Sequence, residues 1–197
     1  MKSKSSIGII VGAFLGFILL LFIMIGGWWI ATSNRINNQK QDVEQQWSQV
    51  QNVMQRRYDL VPNLTASVKG SMKQEQKVFG DIAKARQAYS SANTPKEKMK
   101  ADTQLNQSTG MLINVIHERY PKLESNQNVR DLMTQLEGSE NRIATERQNY
   151  IATVRAYNQS VVNFPSSIVA NAKGCHTIPY YKADSQAQSA PKVNLNN

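Results

Sequence analysis

Residues 7 to 31 read IGIIVGAFLGFILLLFIMIGGWWIA, a run with no ionisable side chain. As a helix at ~1.5 Å rise per residue, such a run covers ~37 Å, more than the ~30 Å hydrocarbon core of a bilayer. Trp28 and Trp29 close it, where indole rings favour the headgroup level. A cleaved signal peptide is the rival reading. Lys2 and Lys4 would be its basic region and Ala31-Thr32-Ser33 a faint cleavage site. The apolar stretch of a signal peptide is only ~7–15 residues, so this run is too long for one. The sequence therefore predicts a basic flank over 1–6 and one transmembrane helix over 7–31.

The flanking charges set the expected orientation. Lys2, Lys4 and the terminal amine precede the span, and Arg35 and Lys40 follow it. The positive-inside rule then favours a cytoplasmic N-terminus with the body exported. Gly8, Gly12 and Gly16 form a small-xxx-small ridge that would let two such helices approach closely. Glycine is also simply common in membrane spans, so self-association through this ridge is one of two readings.

Past the span, the apolar period is helical throughout. Ile36, Val43 and Val50 recur every seven residues, as do Trp47, Met54 and Val61, predicting a first body helix over 34–61. Nothing separates it from the anchor. Pro62 predicts a corner there, because proline removes a backbone donor and clashes with the preceding turn. Leu64, Val68, Met72, Phe79, Ile82 and Tyr89 mark a second helix over 64–90. Thr94-Pro95-Lys96-Glu97 is a capping box with proline at the first helical position, opening a third helix to about Arg119. A fourth is predicted over 126–163, with Val129, Leu136, Ile143, Tyr150, Tyr157 and Phe164 on one seam and Glu140 and Arg147 on the other. Short connections between long helices favour antiparallel neighbours. The expected fold is all-α: the anchor, then an elongated up-down bundle of about four long helices over 34–164. The Ser-, Asn- and Gln-rich stretch 165–197 is expected to be a largely disordered polar tail.

A formal net charge of +9 points at first to nucleic acid or an anionic membrane. Its distribution weakens the nucleic-acid case. The body carries 18 basic and 13 acidic side chains, no nucleic-acid motif and no aromatic interleaving. Lys69, Lys73, Lys77 and Lys84 would line one helix face, and Lys96, Lys98 and Lys100 crowd the third helix start. They are either a solvated face or a contact for anionic headgroups. One Cys and two His leave no disulfide framework and no His- or Cys-rich metal centre. No cofactor is expected. Cys175 beside His176 is not pre-organised in a flexible tail, and His117 is far away in sequence, so an enzyme is not expected.

Two blocks carry a specific resemblance. Gln55-Arg56-Arg57-Tyr58-Asp59-Leu60-Val61-Pro62-Asn63-Leu64 and Leu136-Glu137-Gly138-Ser139-Glu140-Asn141-Arg142-Ile143 resemble the signature of the LemA family of bacterial membrane proteins. Tyr120-Pro121, Tyr150, Tyr157-Asn158 and Phe164-Pro165-Ser166 fit the same pattern. The resemblance implies a bacterial source, a single N-terminal membrane helix and a long antiparallel helical bundle, and it implies no catalytic mechanism.

In that arrangement Arg56, Arg57, Tyr58 and Asp59, beside Pro62, face the block holding Glu137, Gly138, Glu140, Asn141 and Arg142. Arg57 or Arg56 is expected to pair with Glu137 or Glu140, fixing helix register, while Gly138 permits close approach. The alternative is a polar docking surface. The sequence thus favours a non-enzymatic scaffold or adaptor of the bacterial cell membrane, whose partners are the bilayer, other membrane proteins or itself. A sensor binding a small ligand or peptide, and a membrane-surface or remodelling protein, are the alternatives. No nucleic acid and no specific small molecule are predicted as partners.

Overall fold

The computed structural model describes residues 3–180, with side chains from residue 12 onward. The part of the expected polar tail from 181 to 197, and the side-chain environment of Gly8, lie outside the described residues. The described chain is all-helical: α1 (Ser3–Lys69), α2 (Gln76–Ser91), α3 (Pro95–Arg119), α4 (Pro121–Glu124), α5 (Gln127–Val162) and α6 (Ser166–Ala172).

The largest departure from expectation is at Pro62, which lies inside α1 and does not end it. Proline in a helix interior costs about 3 kcal/mol. The residues on either side outweigh that. Val61, Leu64 and Val68 are fully buried on the face the continuing helix presents, and burial of each such side chain stabilises by about 1.5–3 kcal/mol. The corner falls instead after Lys69, where the amides of Ser71 and Met72 both bond to the carbonyl of Val68 at 3.0 and 3.1 Å. Lys69 therefore ends α1 and Lys73 sits in the connection, so the four lysines expected on one helix face belong to different elements.

The chain divides into two compact units. One is Gln45–Ala152. Its core joins Val61, Leu64, Val68 and Met72 to Ile82 and Ala85 of α2, Leu105, Leu112, Ile113 and Ile116 of α3, and Val129, Leu132, Met133 and Leu136 of α5. α3 begins as expected. Thr94 Oγ1 accepts from the Glu97 amide (3.2 Å), and a Glu97 carboxylate oxygen accepts from the Thr94 amide (3.1 Å). The amide of Asn93 donates to the same carboxylate oxygen at 3.1 Å, and it and the Thr94 amide hold the Glu97 carboxyl below its usual range. The Tyr120-Pro121 stop is also present, followed by the one-turn α4.

The other unit joins α1 as far as Glu44 to Thr153–Pro179. Ile36, Val43, Val154, Tyr157, Val161, Val169 and Ala170 are its buried apolar residues. The stretch read as tail holds α6 because Val169 and Ala170 have an apolar surface to cover. A specific stop ends the helix. Gly174, at φ +66°, sends its amide to Asn171, and the Cys175 amide bonds to Ala170 O at 2.9 Å. These two bonds make a Schellman motif, whose left-handed position suits glycine. Phe164 departs from its seam. The α5 heptad is buried through Tyr157, but α5 ends at Val162 and Phe164 is 81% exposed.

Pro62→Ala is expected to leave α1 intact and raise the stability of the detergent-solubilised protein by up to about 3 kcal/mol. Denaturant melting checks this; a loss of stability would show that the packing requires a proline-shaped α1.

Candidate functional site

The Gln45–Ala152 unit encloses a charge cluster on three helices. Asp102 of α3 has no exposed surface. Its Oδ2 accepts from Arg57 Nη1 of α1 at 3.0 Å and from Arg147 Nη2 of α5 at 2.9 Å. Arg57, 2% exposed, also donates through Nη2 to Glu140 of α5 at 2.9 Å. Arg147 Nη2 further reaches the carbonyl of Met99 at 3.2 Å. One carboxylate oxygen is thus held between two guanidiniums while Glu140, half-exposed, closes the chain at the surface. Burial pushes the Asp102 carboxyl above its ordinary range, and the positive charges of Arg57 and Arg147 pull the other way.

A second cluster joins α1 to α2 and α3. Tyr58 stacks on Tyr89 with ring centroids 5.1 Å apart. The Arg86 guanidinium lies 4.5 Å over the Tyr58 ring and Lys98 Nζ 4.3 Å over that of Tyr89. Two cations therefore close the two outer faces of an aromatic pair, the arrangement that the ring quadrupole favours. Lys98 also donates to Tyr89 O at 2.7 Å, so it is not part of a solvated lysine face. Burial first, then the charge of Asp102, raises the Tyr89 phenol to about 12.

Beside the charge cluster is an open cleft of about 350 Å³, lined by Arg57, Asn106, Asn114, Glu137, Glu140 and Asn141 among others. A family model, the LemA family, matches residues 46–195. The chain belongs to the LemA family. It is also similar to the magnetosome proteins MamQ 1 and MamQ 2 of Paramagnetospirillum magneticum, each 31% identical over 87 residues, 44% of this chain and 32% of theirs. Magnetosome protein MamQ of Magnetospirillum gryphiswaldense is 28% identical over 86 residues, 44% of this chain and 31% of its own. The chain spans about a third of the length of these curated relatives.

The two LemA-type blocks do meet, through Arg57 and Glu140. Their other members are placed differently. Arg56, Glu137, Asn141 and Arg142 are exposed. Asp59 is exposed and accepts from Gln55 at 2.9 Å. Tyr58 serves the aromatic pair, and Pro62 is half-buried within α1. Gly138 is not at a close approach, since a Cβ there would meet nothing within 4 Å. Ser139, buried beside it, satisfies its hydroxyl on the carbonyl of Gln135. Gly12 and Gly16 likewise have open space around them.

Asp102 is the member that sequence reading missed. It sits three residues after Met99 and three before Leu105, on the apolar stripe of α3, and a charge at such a position was the available signal. Of the groups considered for chemistry, His117 pairs with Glu124 at 2.9 Å on the surface, His176 is exposed, and Cys175 lies against Tyr157, whose phenol is raised chiefly by burial.

Asp102→Ala is expected to cost about 3–5 kcal/mol, because two buried or half-buried guanidiniums lose their common partner. Glu140→Ala, at the exposed end, is expected to cost no more than about 1 kcal/mol. Equal costs would contradict the ordering. The pH dependence has a sign. With the folded-state pKa raised, the folded state holds the proton longer than the unfolded state. The Asp102 contribution is then greatest below about 3.8 and falls as pH rises through and above that value. Asp102→Asn, which cannot titrate, should gain relative to wild type as pH rises over that range.

Proposed function

We propose that the chain is a non-enzymatic, membrane-anchored scaffold or adaptor of the bacterial envelope, acting through contacts with other membrane proteins or with itself. The observation that carries this reading is the charge cluster. Arg57, Asp102, Arg147 and Glu140 are bonded to one another across three helices, so their chemistry is spent on holding the helices together. The apolar N-terminal part of α1, from Gly12 to about residue 31, is long enough to cross a bilayer. α1 runs on into the bundle unbroken, and membership of the LemA family supports the same location.

We read the helices of the Gln45–Ala152 unit as an up-down bundle. Trp47 meets Tyr150 with ring centroids 5.6 Å apart, and further along α1 Arg57 meets Glu140, earlier in α5. Descending numbers on one helix against ascending numbers on the other support an antiparallel α1–α5 pair. The N-terminus is proposed to be cytoplasmic with the bundle outside, on the charge balance about the span. A C-terminal alkaline phosphatase fusion tests this: it should be active, and an inactive, stably expressed fusion reverses the orientation.

The adaptor surface is assigned to the exposed members of the second block, Glu137, Asn141 and Arg142. One observation favours a second reading. The amides of Asn106, Asn114 and Asn141 line the cleft and suit a small polar ligand. In-cell proximity labelling with pull-down separates the two readings. Glu137→Ala with Arg142→Ala should lose a specific neighbour while the melting temperature is unchanged, whereas Arg57→Ala should lower both. An unchanged neighbour set, with thermal stabilisation by a small-molecule cell extract, would transfer the function to ligand binding.

A further inference from the structure

The juxtamembrane unit exposes apolar side chains for which neither the anchor nor the bundle core accounts. Where α5 gives way to α6, Val162 is 64%, Phe164 81% and Ile168 50% exposed. These three lie within seven residues of one another, and an apolar cluster of that exposure is costly to leave in water. α6 itself is two-sided. Ser166, Val169 and Ala170 are buried against its own unit, while Ile168 points away from that packed face.

The position of α6 along α1 is fixed by direct bonds. Lys173, the residue that caps α6, donates Nζ to Ser33 Oγ and to Asn37 Oδ1, both at 2.8 Å. Ser33 is the second residue after the apolar run and four beyond Trp29, so it stands ~6 Å along the helix from the tryptophan that marks the headgroup level. Thr32, adjacent to the run, is only 5% exposed, so packing in this unit reaches down to the end of the membrane segment. α6 has seven residues, so its far end lies ~10 Å from Lys173. A corner bearing Phe164 and Ile168 is therefore held within reach of the bilayer surface beside the anchor.

From this juxtaposition we infer that the α5–α6 corner is a second membrane contact: Val162, Phe164 and Ile168 insert into the interfacial layer of the same bilayer that α1 crosses. The inference rests on the membrane-anchored reading above. It commits to lipid because α6 is bonded through Lys173 to Ser33 and Asn37, just past the apolar run that ends at the headgroup level. The depth expected is that of an interfacial element, ~5–10 Å into the headgroup and acyl boundary. With one helix across the bilayer and a second contact beside it, the unit that carries α6 is restrained against swinging about a single stem.

Spin labels test this on the full chain in liposomes, in a Cys175→Ser background. Single cysteines replace Val162, Phe164 or Ile168, with Leu20 as an anchor control and Ser160 as a companion site. Collisions with oxygen, which partitions into lipid, are compared with those of an aqueous nickel complex. The inference expects labels at 162, 164 and 168 to favour oxygen as interfacial sites do, the Leu20 label to do so more strongly, and the Ser160 label to favour nickel. Nickel-accessible labels at 162, 164 and 168, with Leu20 still oxygen-rich, overturn the inference and leave the anchor standing. A nickel-accessible Leu20 label overturns the anchor and this inference together. Corner labels shielded from both reagents also overturn it, in favour of a protein contact there.

Discussion

Asp102 brings a carboxylate to a place with no exposed surface, and the arrangement of α1, α3 and α5 in its unit follows from what that charge requires. A buried carboxylate without partners would be neutralised or expelled. Here Arg57 and Arg147 approach the same oxygen from two helices, so α1 and α5 must each sit at one axial position against α3. Sliding either helix by one turn, ~5.4 Å, would break a charged contact that water cannot replace. Hydrophobic seams resist such slips poorly, because valine, leucine and methionine one turn apart present similar surfaces. The charge cluster supplies the register that the apolar core leaves loosely specified, while the core supplies the stability.

The same division of labour explains the neighbouring aromatic pair. Tyr58 follows Arg57 in sequence and leaves α1 on an adjacent face, where it stacks on Tyr89 between Arg86 and Lys98. Adjacent residues of one sequence block thus bind different helices, Arg57 reaching α3 and α5, Tyr58 reaching α2. In the juxtamembrane unit, polar bonds again set position. Lys173 fixes α6 against α1, and Asn158 makes a two-way pair with the backbone of Ile178, donating at 2.7 Å and accepting at 2.8 Å.

Much of this was legible in the sequence, for reasons that differ by element. The α3 start was readable because a capping box is local, its four residues satisfying one another. The α5 seam was readable because thirty-odd residues repeat one period. A pairing of Arg56 or Arg57 with Glu137 or Glu140 was expected from setting the two LemA-type blocks on antiparallel helices, and Arg57–Glu140 is the one the structure forms. Pro62 misled because local propensity was weighed without the burial of Val61, Leu64 and Val68, a tertiary term that no window of sequence contains. α6 was hidden by its composition: only Val169 and Ala170 of its seven residues are both apolar and buried, and the stop at Gly174 resembles any loop glycine. Gly138 was assigned a close approach it does not make. Asp102 was overlooked because carboxylates on helices are usually solvated, although its place between Met99 and Leu105 marks an inward face.

The central claim is that the buried charges specify register more than they add stability. It is tested by replacing Arg57, Asp102 and Arg147 together with apolar residues of similar size (Arg57→Met, Asp102→Leu, Arg147→Met), and measuring spin-label distances between Met111 of α3 and Thr145 of α5 by pulsed electron resonance. The account predicts that the variant stays folded while the single narrow distance of the wild type becomes broad or multiple. A narrow, unshifted distance in the folded variant would contradict it, showing that the apolar seams alone hold the helices in place.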